Sequence, residues 1–244
     1  GDSKLFKTTS SAGLLPLFEG KMIWQFEHQL AHPRYWVDEQ AGRKALLGRT
    51  SDEGQQLAYQ GYRLGHRSVA SSTNERTMIA TILPPRTFFG NSIHATKARA
   101  DGAVLLFATG VLNSFVCDYS LRSSVSQNLT MFFIYQLPVP RLTEKDAAFR
   151  PIVERAARLI CTTPEFDDLA QEIFSGQANA ASVGATVPAE RAKLRAELDG
   201  LVAHLYGLTE EEFAHILTTF PLVSDEVKIA AHNAFRNVER GLVK

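Results

Sequence analysis

The chain has little of what a disulfide-bonded or metal-dependent protein needs. Its 244 residues contain only two cysteines, Cys117 and Cys161, which lie far apart with no Cys-x-x-Cys spacing. This excludes a disulfide framework and a zinc finger, and it is typical of a protein kept in a reducing cytosol. His28 and His32 are four residues apart, but Pro33 follows at once and no cysteine or acidic cluster completes a metal shell. The sequence therefore predicts no metal site.

Catalytic motifs are missing as well. The chain has no G-x-x-x-x-G-K-S/T or G-x-G-x-x-G phosphate loop, no G-x-S-x-G elbow and no H-E-x-x-H. Glu226 and Lys228 form an E-x-K, which nucleases use beside an upstream acid, but a solvated face of an amphipathic helix is the better interpretation here. We therefore predict no catalytic residue and no cofactor in this chain, and the composition favours recognition over catalysis.

No apolar run approaches the length of a membrane span, and the polar start has no signal-peptide pattern. We expect a cytoplasmic protein with no membrane partner.

Charge is unevenly distributed along a chain that is neutral as a whole. Residues 62–99 carry six basic side chains against one acid, whereas the chain has 26 of each sign. Residues 1–140 carry 14 basic and 10 acidic residues, and residues 141–244 carry 12 and 16. A basic segment in a neutral chain indicates a directed face for an anionic ligand, of which DNA is the commonest large one. The alternative is a solvated strand pair with scattered arginines.

Residue patterns divide the chain near residue 142. Before that point, short runs of β-branched and aromatic residues predict strands within Leu17–Phe26, Tyr35–Val37, Tyr59–Val69, Thr77–Leu83 and Met131–Leu137. One helix is predicted among them, over Ala103–Leu121. Beyond Thr143 the apolar spacing is helical, with Pro188 in a first turn, Gly207 after a last turn and a capping box formed by Thr209 and Glu212. The sequence predicts an α+β fold, with a β-rich domain over 1–142 that contains an embedded helix, and a helical part over 143–244.

Four segments, read in order, resemble a known family. They are Pro16–Ala31 (PLFEGKMIWQFEHQLA), Tyr62–Pro84 (YRLGHRSVASSTNERTMIATILP), Val111–Leu142, which ends in QLPVPRL, and Leu198–Pro221 (LDGLVAHLYGLTEEEFAHILTTFP). This order is similar to the C-terminal target-recognition (TaqI-like specificity) domain of type IIG restriction–modification enzymes and adenine-specific DNA methyltransferases. The third segment also resembles the L-N-S…L-P-x-P close of target-recognition domains in type I specificity subunits.

The chain departs from that family in two respects. Ser68 follows Arg67 where many relatives have an acid, in R-D-I-A, so any contact made by that acid is missing. The methyltransferase signature N/D-P-P-Y/F and the cofactor-binding F-x-G-x-G are both absent. The resemblance therefore implies that the catalytic domain lies upstream, outside this chain.

Sequence-specific recognition of double-stranded DNA is what the resemblance implies. Arginine reads guanine in the major groove and asparagine reads adenine, while lysine, serine and threonine hold phosphates. The residues expected to contact DNA are Lys21, His28, Arg34, Tyr35, Arg63, Arg67, Ser72, Thr73, Asn74, Arg76, Arg86, Lys97, Arg99 and Arg122.

The resemblance also implies a partner and cofactors outside this chain. The module would position an upstream adenine methyltransferase, as a domain or as a subunit, on its target site. That parent enzyme would bind S-adenosylmethionine, with magnesium as a further candidate if a nuclease accompanies it. Two alternatives remain open. One is a protein-interaction module whose acidic helical part docks a catalytic subunit, and the other is a small self-contained nuclease.

Overall fold

The fold is α+β, with two small sheets in the first part of the chain and helices dominating the rest. The computed structural model describes residues 2–71, 74–97, 100–125 and 128–244. The strands are β1 (Phe6–Lys7), β2 (Leu14–Phe18), β3 (Tyr35–Asp38), β4 (Arg63–Arg67), β5 (Ala80–Leu83), β6 (Phe88–Phe89) and β7 (Ile93–Ala95). The helices are α1 (Glu39–Leu47), α2 (Gly102–Leu112), α3 (Phe115–Arg122), α4 (Met131–Gln136), α5 (Phe149–Ile160), α6 (Asp167–Phe174), α7 (Ala180–Val183), α8 (Pro188–Leu205), α9 (Glu210–Thr218) and α10 (Asp225–Glu239).

The two sheets have different strand orders. The first runs β1–β3–β2–β6, with antiparallel pairs around β3 and a parallel pair between β2 and β6. The second is antiparallel, in the order β5–β4–β7, with Gly65 opposite both Thr81 and Ala95. Three turns, those that follow β2 and β6 and the one that precedes β3, therefore lie at one end of the first sheet.

Two of the predicted elements are wrong. The run Met131–Leu137, expected as a strand, contains helix α4 instead, because a short apolar run carries no periodicity that separates strand from buried helix. The helix expected over Ala103–Leu121 is two helices, α2 and α3, that meet at a bend of 60°. Ser114 caps α3 by accepting a hydrogen bond from the backbone N–H of Cys117.

The strand predicted over Leu17–Phe26 is present only in part, as the end of β2 (Leu14–Phe18). It ends at Phe18, and a 3₁₀ turn follows over Gly20–Met22. A Cβ at Gly20 would lie 2.7 Å from the carbonyl oxygen of Ser92, so only glycine permits this close approach of two turns.

The helical end signals are confirmed. Pro188 begins α8, Gly207 follows it with φ +67°, and Thr209 and Glu212 form the capping box of α9. The helices after residue 142 pack on the first part of the chain, because α2 lies between β5 on one side and α5 and α8 on the other. Phe107 of α2 and Phe149 of α5 stack with their ring centroids 5.1 Å apart.

One large apolar core therefore includes residues from both sides of position 142. Two smaller clusters lie under the first sheet and between the sheets. Within the described ranges no single helix is long and apolar enough to cross a membrane. The bent pair α2–α3 meets the length and composition test only when both halves are counted together.

Candidate nucleic-acid interface

Arg63 and Arg67 share one face of β4, as their alternation in the sequence predicts, but that face is turned inward. Arg63 is 3% exposed, and its Nη2 donates to both the carbonyl and the hydroxyl oxygen of Thr87 at 2.7 Å. Burial lowers the pKa of Arg63 to about 10. Arg67 donates through Nε and Nη2 to the carbonyl of Ile23, at 2.9 and 2.6 Å, and lies 5.0 Å from the ring centroid of Trp24. Both arginines hold neighbouring loops in place, Arg63 as a buried group and Arg67 as a half-buried one.

Arg76 is buried too. Its Nε lies 2.8 Å from Oδ2 of Asp118, and its Nη2 donates to the carbonyl of Asn113 at 2.6 Å. Asp118 also accepts the backbone N–H groups of Thr77 and Met78, each at 3.1 Å. This network fixes the loop that precedes β5 to helix α3.

Asn74 lies on the exposed surface of the same loop. Arg122, at the end of α3, donates to the carbonyl oxygens of Asn74 at 2.9 Å and Glu75 at 3.1 Å. Its guanidinium lies 4.6 Å from the ring centroid of Phe220. Ser72 and Thr73, which belong to the same predicted contact segment, lie outside the described residues, as does Arg99.

The remaining basic residues of the segment are on the surface. Arg86 is exposed and pairs with Glu39, with Nη2 2.9 Å from Oε2. Lys97 is exposed and follows β7. The basic segment of the sequence thus contains two buried arginines, Arg63 and Arg76, and the half-buried Arg67. Arg86 and Lys97 are its exposed basic residues within the described part of the chain.

His28 lies inside the protein. It is 6% exposed and is flanked by Phe18, at 6.4 Å between ring centroids, and by Phe166, at 4.9 Å. Burial lowers the pKa of His28 from its usual 6.5, against the weaker opposing effect of nearby Glu165 and Glu27. The ring is therefore a neutral core group at pH 7.

Three turns at one end of the first sheet bring exposed polar side chains together. These are residues 19–22 after β2, 29–34 before β3 and 90–92 after β6, and we call them the turn cluster. The N–H of Leu30 donates to the carbonyl of Met22 at 2.8 Å, and the N–H of Gly20 donates to Oγ of Ser92 at 2.8 Å. The N–H of Gly90 donates to the carbonyl of Phe18 at 3.1 Å. Backbone contacts therefore fix all three turns to one another.

Two cations stand on the turn cluster around one acid. Lys21 Nζ lies 3.3 Å from Oε2 of Glu19, and Arg34 Nη2 lies 3.8 Å from Oε1 of the same residue. Both cationic side chains are 59% exposed. The guanidinium of Arg34 lies 4.4 Å from the ring centroid of Tyr35. The carboxylate of Glu19 is only 23% exposed, so it is the two cations that the turn cluster presents to solvent.

Sequence reasoning missed three exposed residues of the turn cluster, namely Gln29, His32 and Asn91. Amides pair with adenine and imidazole with phosphate or base edges, so these types suit DNA as well as the predicted ones do. The G-N-S string at residues 90–92 is a turn signal that could have pointed to Asn91. Nothing local indicates that this turn lies beside Gly20.

A cavity of about 230 Å³ lies between the first part of the chain and the helices. Its walls include Trp24, Phe115, Arg76, Arg195 and Asp199. Burial raises the pKa of Asp199 to about 6, against the opposing charge of Arg76. The lining also includes Ser114, Glu75 and Glu226. Across the described residues, no group of three or more His, Cys, Asp or Glu side chains could hold a metal ion.

Comparisons with known proteins find matches among solved structures. No family model matches the chain, and no curated protein matches it at a significant level. A search of solved structures finds a type IIL restriction–modification enzyme, MmeI, whose structure is of a complex with DNA. The likeness covers 95% of this chain and 31% of that one, at 14% sequence identity and a TM-score of 0.47. This TM-score is too low to establish a common fold, and the chain spans about a third of the length of that enzyme.

Proposed function

We propose that this chain is a sequence-specific recognition module for double-stranded DNA and that the turn cluster is its reading surface. The observation that supports this most directly is the set of exposed lysine, arginine and amide side chains on three turns fixed to one another. Loops held on a rigid scaffold are where recognition residues usually lie, and these are the side-chain types that contact bases and phosphates. The four-segment resemblance supports the same role independently of the geometry.

Roles within the turn cluster follow from the chemistry of each side chain. Arg34 is placed to read guanine, because its guanidinium is exposed and oriented by the ring of Tyr35. Gln29 and Asn91 are assigned to adenine edges, and Lys21 to a phosphate. Asn74, Arg86 and Lys97 are the further exposed candidates for backbone contacts, and Ser72, Thr73 and Arg99 keep the same proposed role.

The internal residues have a different part in this proposal. Arg63, Arg67 and Arg76 act indirectly, because their donors already hold carbonyl or carboxylate oxygens inside the protein. Arg122 holds the backbone of the loop that carries Asn74. His28 supports the loop 29–34 from the core. A base contact through buried Arg63 or Arg76 would require internal hydrogen bonds to break, at a cost of several kcal/mol.

The proposal extends to a larger enzyme. We propose that the module positions an upstream adenine methyltransferase, fused or separate, which binds S-adenosylmethionine, and magnesium where a nuclease is present. Such proteins act in the cytoplasm of bacteria, and we place this chain there.

The test is selection from a randomised duplex DNA library at near-physiological salt, followed by sequencing of the bound fraction. Enrichment of one short motif, lost in a Lys21→Ala/Arg34→Ala double variant, is the expected result. Binding without enrichment would leave a non-specific DNA-binding module. Failure to bind even at low salt would overturn the proposal, because phosphate contacts strengthen as salt falls.

A second role is favoured by one specific observation. Phe132 and Tyr135, one turn apart on α4, are 64% and 79% exposed. Two large aromatic side chains in solvent on the same face of a helix are typical of a protein contact. We propose that this pair docks the catalytic domain. A Phe132→Ser/Tyr135→Ser variant that still binds DNA but no longer associates with the methyltransferase would support that role.

A further inference from the structure

The second sheet brings together two histidines that are 28 positions apart in the sequence. His66 on β4 lies directly opposite His94 on β7 in an antiparallel pair. Their ring centroids are 5.4 Å apart and the rings are nearly perpendicular. Nothing in the spacing of the histidines along the chain predicts this pair, because it arises from strand pairing alone.

Each ring of this pair has a buried nitrogen that forms no hydrogen bond within the described part of the chain. In His66 the atom is Nε2, and in His94 it is Nδ1. The hydroxyl oxygen of Thr96 is a third such atom. Thr96 lies two residues beyond His94, and its N–H donates to the carbonyl of Leu64, so the pairing of β7 with β4 continues to it. His66, His94 and Thr96 therefore project from the same face of the sheet.

The protonation of His66 follows from its other nitrogen. Nδ1 lies 3.0 Å from the carbonyl oxygen of Arg67, which can only accept, so Nδ1 carries the proton and donates it. Nε2 then carries a lone pair. An imidazole held in this way, with one N–H on a backbone carbonyl and the other nitrogen unpaired, has the arrangement of a metal-ligating histidine.

The separation of the rings fits a shared cation. A Zn–N bond of about 2.0–2.1 Å, extended by the roughly 1.1 Å from nitrogen to ring centre, places two imidazole centroids about 5 Å apart at a tetrahedral angle. The observed 5.4 Å agrees with that separation. His94 is half-buried and His66 is 3% exposed, and the unpaired ring nitrogen of each is buried.

We propose that His66 and His94 bind one divalent transition-metal cation of the kind that imidazole prefers, such as Zn²⁺. His66 binds through Nε2 and His94 through Nδ1, and the hydroxyl of Thr96 and water complete the shell. The site joins β4 to β7 below the 90–92 turn of the turn cluster. Hard cations such as Mg²⁺ are excluded, because they require oxygen ligands.

The test is calorimetric titration of the untagged chain with ZnCl₂ in a buffer that does not chelate metals, with MgCl₂ as the control cation. We expect one Zn²⁺ per chain, a higher midpoint of thermal unfolding with Zn²⁺, and no response to Mg²⁺. His94→Ala should weaken binding by at least about tenfold, since removing even an outer-shell partner of a metal ligand costs that much.

Two further measurements distinguish this site from other histidines and from loss of folding. His32→Ala removes an exposed histidine and should leave the affinity unchanged. His66→Ala should abolish binding while circular dichroism shows a folded chain, and Cu²⁺ on the wild type should show hyperfine coupling to two imidazole nitrogens in its EPR spectrum. Absence of Zn²⁺ binding, or equal affinity of His94→Ala and the wild type, would overturn the proposal.

Discussion

Arg76 and Asp118 form an ion pair with almost no access to solvent. The Nε–Oδ2 distance is 2.8 Å, and the two side chains are 7% and 0% exposed. Because Asp118 also accepts two backbone N–H groups of the loop before β5, the pair joins that loop to α3. Arg76, which the sequence predicts to contact DNA, thus holds the loop before β5 against α3.

Arg76→Ala is expected to destabilise the fold by about 3–5 kcal/mol, because it leaves the carboxylate of Asp118 buried without a counter-charge. The measurement is the free energy of unfolding in urea. Arg49→Ala, at an exposed arginine, is the matched control and should stay within about 0.5 kcal/mol of the wild type. A folded Arg76→Ala protein with unchanged stability and an altered base preference would restore Arg76 as a direct reader of DNA.

Lys21→Ala should weaken DNA binding to a similar extent on every sequence. Removing one phosphate contact lowers the magnitude of the slope of log K against log salt by about 1.

Arg34→Ala should instead cost about 1–3 kcal/mol in DNA-binding free energy and relax the preference at one base pair. Fluorescence anisotropy across a salt series measures both effects. Lys193→Ala, at a lysine that is 75% exposed on α8, is the control, and an equal effect there would remove the turn cluster from the interface.

Acid should destabilise the chain as pH falls below 6.5, in part through His28. Its pKa is lowered in the folded state, so the unfolded chain binds the proton more readily. The stability contributed by neutral His28 is therefore complete above pH 6.5 and is lost as pH falls through the lowered folded value. His28→Phe keeps a ring between Phe18 and Phe166 and should flatten this part of the pH profile. His32→Gln, at an exposed histidine, should leave the slope as it is, and an unchanged slope in His28→Phe would contradict the assignment.

Asp199→Asn is expected to stabilise the chain at pH 7. Burial raises the folded pKa of Asp199 to about 6, so its ionisation opposes folding between its usual value of 3.8 and that pH. Stability contributed by the protonated acid is thus complete below pH 3.8 and is lost as pH rises through 6. The amide oxygen can still accept the N–H of Phe115, as Oδ1 does at 2.8 Å. We expect a gain on the order of 1–3 kcal/mol at pH 7 and none at pH 4, measured by urea unfolding at both values.

Gly200→Ala should destabilise the contact between α8 and α10. An added Cβ would lie 2.8 Å from the carbonyl carbon of Ala234 and from the nitrogen of Phe235, both in the backbone of α10. Since backbone cannot rotate away, we expect a loss of about 1–3 kcal/mol or more in the free energy of unfolding. Gly61→Ala is the control, because no heavy atom lies within 4 Å of its added Cβ and its φ is −124°. Equal stability of the two variants would contradict the close packing.

The sequence predicts what depends on neighbouring residues. The caps at Pro188, Gly207 and Thr209 are set by backbone groups within a few positions, and the helices expected beyond Thr143 are present. The α+β class follows from the same local patterns. The strand predicted over Met131–Leu137 was wrong, because a run of apolar residues this short has no periodicity that separates a strand from a helix.

The site was harder to predict because it depends on contacts between distant positions. Arg76 meets Asp118 across 42 positions, and Arg63 meets Thr87 across 24. Counting charges along residues 62–99 treats every arginine as exposed, whereas Arg63 and Arg76 are buried and Arg67 is half-buried. Lys21 and Arg34 were predicted from their residue types, but their grouping with Asn91 follows from the strand order β3–β2–β6, which the sequence does not give.

The large apolar core contains residues from both sides of position 142, and it therefore limits which segments can be exchanged with those of another protein. A chimera cut at that position would leave the face of α2 that contacts α5 and α8 against a foreign surface, because the packing of Phe107 on Phe149 spans the junction. Residues 23–28, between two turns of the turn cluster, also contact that core, because Phe26 belongs to it and Gln25 donates to the carbonyls of Met78 and Asn113. Under the proposed function, changes of specificity should therefore be confined to residues 19–22, 29–34 and 90–92 on an intact recipient. Residues 23–28 should stay with the helices that they contact, since Glu27 pairs with Arg191 and His28 packs on Phe166.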